Sequence, residues 1–428
     1  MRKHLLLGIS TFTLGFGSAL YLTRPADAGE NPAFPLLRLF GDAFATVEKQ
    51  YVTPVDDRRL IEGAIAGMMR SLDDHSDYLG PETYSLLSRP RGNPIGGAGL
   101  VLASDERGLK IVGLTEDAPG KRSGLQAGDA IVAIDGRSTL RLSLDNGVAL
   151  LRGEVGSPVT LTIARSGSPD FDVRLIREVV KSHVANARME GDFGYLRPSQ
   201  FDNGAAASAA TALRDLEAHN PAMKGLVLDL RNNPGGLLSE AVGVAGLYLN
   251  GGTVVSERGR DPNDVERFNA PPHGDRLGGR PLVVLINAGT GSGAEIVAGA
   301  LQDRGRALLV GMTSFGVGTI QTVIPLHGGV DGALKLTTAR YYTPNGRAIQ
   351  GVGIQPDVKV AATIAEAAEP RRRVSEASLA NTLSPESDKA PALNLGPAEA
   401  PPSATFAGDF QLKRALDVLR SRPAPKPR

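Results

Sequence analysis

The chain has 428 residues, enough for two or three domains with buried cores. Its 47 Lys and Arg balance 46 Asp and Glu, so global charge points to neither a nucleic-acid nor an acidic partner. There is no Cys and only six His, none in an HExxH spacing, so disulfides and thiolate metal sites are excluded and neither metal nor cofactor is indicated.

The N-terminus opens with Arg2 and Lys3, runs apolar from Leu5 to Leu22, and offers Ala26-Asp27-Ala28 as a small-x-small cleavage site. This is the layout of a secretory signal over residues 1–28, and it predicts export to the periplasm or cell envelope. Residues 5–22 are also long enough to anchor the chain in a membrane if the segment is retained. Residues 29–90 are expected to be helical, with Leu36, Leu39, Phe40, Ala43, Phe44 and Val47 at helical spacing. "LDDHSDYLGPETY" interrupts that pattern with turn residues, and His75 there is expected to tie down a loop.

Residues 91–180 change character to short β-rich runs between Gly-containing turns, with one helical piece around "SLDNGVALLRG". Gly99 beside an apolar strand and the turn "AGDAIVAIDG" fit a module that binds an extended peptide on a sheet edge. Residues 181–360 alternate buried-type strands ("KGLVLDLR", "RPLVVLINA") with helical segments, the pattern of an α/β core with a parallel-rich sheet. An Ala/Pro/Glu-rich stretch, 361–405, is expected to be mobile. A last amphipathic helix within 406–428 offers Phe410, Leu412, Leu416 and Leu419 for docking.

Two strand–turn–helix passages carry the chemistry. In "INAGTGSGAE" a strand ends at Asn287 and a helix starts near Ala294, so Ser292 falls at a helix N-terminus, where the dipole and free amides stabilise an oxyanion. In "DLRNNPGGLL", Gly235 and Gly236 can present amides to the same space. Local sequence leaves a second reading open: Ser292 and Glu295 satisfy the S-x-x-E capping box. A serine nucleophile also needs a proton acceptor, and no His lies near Ser292 in sequence.

At these residues the chain resembles the C-terminal processing peptidases (tail-specific proteases), Ser/Lys enzymes with an inserted PDZ domain. The resemblance runs through most of residues 35–421, including "LDDHSDYLGPETY", "SGLQAGDAIVAIDG", "GLVLDLRNNPGGLL", "EIVAGALQDRGRALLVG" and "FGVGTIQTVIPL". It implies a nucleophile at Ser292 and an assisting Gln at Gln321. It also implies oxyanion amides from Gly293 and from Gly235 or Gly236, and a general base 25 positions after the nucleophile. That base position, the Lys of an "FGKG" segment in the family, holds Val317 here. Val has no lone pair. Lys335 or a distant His, such as His75 or His327, would have to replace it.

Two functions follow from the resemblance. In one, the chain is a pseudopeptidase that binds protein C-terminal tails, with the terminal carboxylate held by amides of Gly97, Ala98, Gly99 and Leu100, and serves an active relative or adaptor. In the other, it is an active serine endopeptidase that cleaves near protein C-termini with a substitute base. Nucleic acid is not an expected partner, and a membrane is one only if the N-terminal segment stays.

Overall fold

The computed structural model describes residues 33–421 except 89–94, 106–107, 116–117, 141, 143, 181–185, 369–374, 380, 387–396 and 404–405, with the backbone alone at 95, 101, 103–105 and 145. The signal or anchor expected over residues 1–28 lies outside these residues. No described helix is long and apolar enough to cross a membrane.

The chain divides into two compact units at Gly63. In the first, helix Ala33–Gln50 carries the expected apolar stripe, yet it buries none of its residues; Phe34, Leu36, Leu37, Leu39 and Phe40 are all exposed. Helix Asp57–Arg70 starts where Asp56 Oδ1 accepts the Arg59 N–H at 2.9 Å, an N-cap bond that satisfies an otherwise orphaned donor.

The second unit holds a small β-rich module and a larger α/β core. In the module, Leu100–Asp105, Gly108–Leu114, Ala130–Ile134, Pro158–Ala164 and Phe171–Ile176 form one antiparallel sheet. Its alternating inward residues, among them Leu109, Ile111, Ile131, Val159, Leu161 and Ile163, make a core of their own. Helix Leu144–Leu151 falls where the sequence places one.

The α/β core is a six-stranded sheet. Asn186–Glu190 pairs antiparallel with Phe193–Arg197, and from there Leu226–Asp229, Leu282–Ile286, Leu308–Gly311 and Val358–Lys359 follow in parallel. The central strands Leu226–Asp229 and Leu282–Ile286 are buried throughout, because helices cover both faces. Helices Ala205–His219, Leu238–Gly246 and Gly293–Asp303 contribute to the core on one face. On the other, helix Phe410–Ser421 buries Leu412, Ala415 and Leu419 against Val227, Val283, Leu285 and Val310, with Phe410 and Leu416 partly covered. A second, antiparallel sheet joins Asp77–Leu79, Ala333–Tyr342, Thr253–Arg258, Val265–Asn269 and Thr319–Pro325.

The C-terminal helix is pinned by charge as well as packing. Buried Asp229, at the end of a central strand, accepts the Tyr195 hydroxyl at 2.7 Å and the Arg231 guanidinium at 2.5–3.1 Å. The same guanidinium reaches Asp409 at 2.6 and 2.9 Å. Asp409 also caps the helix, accepting the Leu412 N–H at 3.0 Å. Burial works against the Arg231 charge, but its bonds to Asp229 and Asp409 override it and raise its pKa. Burial opposes the Asp409 charge too, and the Arg231 bond wins, holding that carboxyl below its usual value.

A depressed carboxyl stabilises the fold above its unfolded pKa and loses that contribution as pH falls through the folded value. Asp409→Ala is expected to cost about 2 kcal/mol from the lost cap and ion pair, read as a lower denaturant midpoint. The gap to wild type should close as pH falls below the ordinary Asp range. A pH-independent gap would show that the charge contributes nothing.

Candidate functional site

Two turns at the C-terminal ends of adjacent parallel strands are stitched together side by side. After Leu226–Asp229 comes residues 230–237, and after Leu282–Ile286 comes residues 287–292. Asn287 Oδ1 accepts the Asn232 N–H and Asn287 Nδ2 donates to Asn232 Oδ1, both at 2.9 Å. Thr290 Oγ1 donates to the Leu230 carbonyl at 2.9 Å, and the Gly291 N–H to the Asn233 carbonyl at 2.9 Å. These short polar residues therefore act as cross-turn ties, which is why "RNNPGG" and "NAGTGS" suit this edge of the sheet.

The result is close backbone contact. A Cβ on Gly235 would lie 2.5 Å from the Gly293 nitrogen and 3.0 Å from Ser292 Cβ, so only Gly fits there. The Gly235 N–H is already spent on Asn233 Oδ1 at 2.9 Å, which corrects the expectation that either glycine can offer its amide. Among the described residues the Gly236 and Gly293 N–H groups take no acceptor. Gly293 is the first residue of its helix, where N–H groups have no intrahelical partner.

Ser292 caps that helix with φ 48° and ψ −117°, a backbone conformation non-glycine residues rarely adopt. Its capping-box partner Glu295 is fully buried and returns Oε2 to the Ser292 N–H at 2.9 Å. Beyond that cap, the carboxylate does more. The same Oε2 accepts the Val317 N–H at 2.9 Å, while Oε1 accepts the Gly316 N–H at 2.7 Å and the Ser314 hydroxyl at 2.5 Å. Burial raises the pKa of this carboxyl, while its four donors pull the other way by favouring the ionised form.

The backbone nitrogens of Ser292 and Val317 share one acceptor oxygen, so they lie no more than twice 2.9 Å apart. A lysine side chain at 317 spans that distance. Val317 is half-buried and brings no polar group. Glu295 cannot stand in as a base, because its four donors occupy the acceptor positions of both oxygens.

The other sequence candidates lie elsewhere in the network. Gln321 Nε2 donates to Thr319 Oγ1 at 2.9 Å and to Thr337 Oγ1 at 3.4 Å, within the antiparallel sheet. Lys335 faces Asp77 and Val323 in register on strand Ala333–Tyr342. His327 is exposed and bonds Asp331 at 2.6 Å. His75 Nε2 is held by Glu376, and its loop is tied by buried Asp73, whose Oδ1 accepts the His75 and Ser76 N–H groups at 2.8 Å. Among the described residues no side chain hydrogen-bonds the Ser292 hydroxyl.

In the β-rich module, Gly97 is committed by a two-way bridge to Glu178 at 2.8 and 3.1 Å, which corrects its expected place among ligand-binding amides. Ala98 is buried, and Gly99, at φ 71°, packs so tightly that a Cβ would sit 2.2 Å from that of Ala118. Leu100 begins the strand Leu100–Asp105.

Two substitutions test this geometry. Glu295→Gln must turn an NH₂ toward buried donors, and is expected to cost about 2–3 kcal/mol; an unchanged denaturant midpoint would remove Glu295 as the tie between the turns. Ser292→Gly is expected to be more stable than Ser292→Ala by about 1 kcal/mol, since Gly alone relaxes at that φ. Equal thermal midpoints would mean that Ser292 is not strained.

Comparison with known proteins identifies this assembly. Residues 192–360 match Peptidase family S41, residues 110–165 a PDZ domain, and residues 25–83 the N-terminal domain of the activating protease CtpB. The chain is 45% identical over 334 residues to a carboxy-terminal-processing protease of Bartonella bacilliformis, covering 77% of this chain and 76% of that one. It is 31% identical over 319 residues to the carboxy-terminal processing protease CtpA of Bacillus subtilis, covering 74% and 67%. The solved photosystem II D1 C-terminal processing protease superposes with a TM-score of 0.60 at 30% identity, over 76% of this chain and 92% of that one. Strand-end turns closed around a helix-capping serine, beside a PDZ domain, are thus those of a serine peptidase fold: the chain belongs to peptidase family S41, among the carboxy-terminal processing proteases.

Proposed function

We propose that this chain is an exported carboxy-terminal processing protease homologue that binds protein C-terminal tails without cutting them. The observation that carries the reading is Val317. Its amide shares an acceptor oxygen with that of Ser292, and its side chain has no lone pair to take the serine proton. Loss of one member of a catalytic pair or triad costs about 10⁴–10⁶ in kcat. What is left is a binding cleft. In it, the Gly236 and Gly293 amides receive a tail carbonyl, and the PDZ domain takes the tail by strand addition at Ala98 to Leu100. Export rests on the charged, apolar and small-residue order of residues 1–28. An active relative or an adaptor is the natural recipient of a bound tail.

A second reading keeps hydrolysis. It is favoured by the strained Ser292, by Gln321 at the assisting position and by the two unbonded turn amides. It needs a replacement base, for which Lys335, His75 and His327 are the sequence candidates.

Wild type, Ser292→Ala and Val317→Lys, each from residue 29 onward, would be incubated with an unfolded protein ending in small apolar residues. Val317→Lys alone is expected to cut, with wild type at least 10⁴-fold slower and still able to bind the tail. Cutting by wild type that Ser292→Ala abolishes would overturn the binding-only reading.

A further inference from the structure

The stretch 361–405 does not behave as the mobile tail its composition suggests, at least where it is described. Glu376 is fully buried, although it lies beyond the last strand of the core sheet. Its N–H donates to the Phe315 carbonyl at 3.0 Å. Its carboxylate accepts His75 Nε2 at 2.9 and 3.0 Å, Gln350 Nε2 at 2.8 Å and Thr382 Oγ1 at 3.1 Å. Gln350 Oε1 in turn accepts the Gly318 N–H at 2.9 Å. The loop 315–318 is therefore gripped at both ends from this side, at Phe315 directly and at Gly318 through Gln350. Glu295 grips its middle from the other.

Around Glu376 the segment is fastened outward as well. The Asn381 N–H meets Asp74 Oδ2 at 2.9 Å, Arg340 Nη1 donates to the Ser384 carbonyl at 2.8 Å, and the Tyr342 hydroxyl donates to Glu386 Oε1 at 2.8 Å. Gly351, whose N–H bonds the Gly316 carbonyl at 2.9 Å, lies under Pro385, so close that a Cβ there would be 2.9 Å from the proline ring. Capping, sheet pairing and the hydrophobic core need none of these bonds.

We propose that residues 375–379 and 381–386 form a strap that positions the loop carrying residue 317, with Glu376 as its positioning residue and the charge on His75 setting how firmly it holds. The groups facing His75 are Glu376 from the strap, Lys335 from strand Ala333–Tyr342 and Asp73 from its own loop. Burial disfavours the His75 charge and Lys335 repels it, but the bond to Glu376 prevails and raises its pKa above the usual 6.5. Burial disfavours the Glu376 charge, and His75 with Gln350 and Thr382 nonetheless keeps its pKa below the usual 4.5. Both charges exist between those two values. The hold is complete there, weakens as pH rises through the His75 pKa, and weakens as pH falls through that of Glu376. The strap deepens the assignment of residue 317 to the site, but its test reads the loop and not cleavage, so either can fail alone.

Hydrogen exchange of the full chain, corrected for intrinsic rate, would be followed between pH 6 and 9 in wild type, Glu376→Gln and His75→Gln. In wild type the Phe315 and Gly318 amides, which Glu295 does not hold, are expected to lose protection as pH rises, while helix Gly293–Asp303 keeps its own. Glu376→Gln should speed exchange at 315–318 about tenfold at pH 6, the loss of roughly one charge-assisted bond. His75→Gln should exchange faster at pH 6 and lose the pH dependence at Phe315 and Gly318, the two amides of the loop that Glu295 does not hold. A Glu376→Gln chain that exposes 375–386 yet leaves 315–318 protected would make the strap a passenger. A wild-type profile flat with pH, matching His75→Gln, would remove the histidine from the device. Should Glu376→Gln fail to fold, His75→Gln, which leaves the carboxylate and Gln350 in place, carries the comparison: faster exchange at 315–318 supports the strap, and unchanged exchange overturns it.

Discussion

The carboxylate of Glu295 lies where water cannot reach it, and three backbone N–H groups and one serine hydroxyl converge on its two oxygens. An unpaired buried carboxylate is costly, and so is each orphaned buried amide. The two deficits cancel only in one arrangement, with the Ser292 turn and the 314–317 loop pressed against the same side chain. Removing either loop leaves the other's donors, or the carboxylate itself, unmatched. The relative placement of residues 292 and 317 is thus enforced by hydrogen-bond satisfaction, and the apolar core beneath supplies the rigid floor.

That floor explains why the site forms at this edge. Parallel strands end together, so the turns after Leu226–Asp229 and Leu282–Ile286 emerge side by side. Asn232, Asn287 and Thr290 tie them across a gap too narrow for any side chain at residue 235. Two amides, those of Gly236 and Gly293, are left without an acceptor among the described residues. From the opposite face of the sheet, Arg231 links the start of the first turn to Asp409 and the C-terminal helix. A residue 178 positions away in sequence thereby bears on where that turn begins.

What the sequence made legible follows the range of the interactions involved. The buried strands are continuous apolar runs and the helices Ala205–His219, Leu238–Gly246 and Gly293–Asp303 are periodic, so pattern alone finds them. Ser292 at a helix start was legible for the same reason. Glu295 was visible only as a cap, because its bonds to Gly316 and Val317 span more than twenty residues and leave no local signature. Glu376 was invisible: an acidic residue in an Ala/Pro/Glu-rich stretch looks solvated until His75, 301 positions earlier, is folded against it. The apolar stripe of Ala33–Gln50 misled in the opposite sense, since periodicity predicts a covered face and the helix buries nothing. Composition reports what a segment can bury, not what it meets.

Under the proposed reading, the base and the turns do separate jobs, which is why the base can be missing while the turns remain intact. A proton acceptor lowers a barrier and contributes nothing to holding a peptide. Unbonded amides at a helix N-terminus and a strand-end turn bind a carbonyl whether or not it is attacked. The strain at Ser292 belongs to the second job as much as the first. Its φ of 48° turns the chain so that the Gly293 N–H enters the space beside Gly235. A relaxed residue there would carry that amide away from Gly235. Under the proposed reading, the cost of that backbone, about 1–3 kcal/mol, is therefore repaid in tail binding alone, and Val317 need only fill the volume its loop encloses.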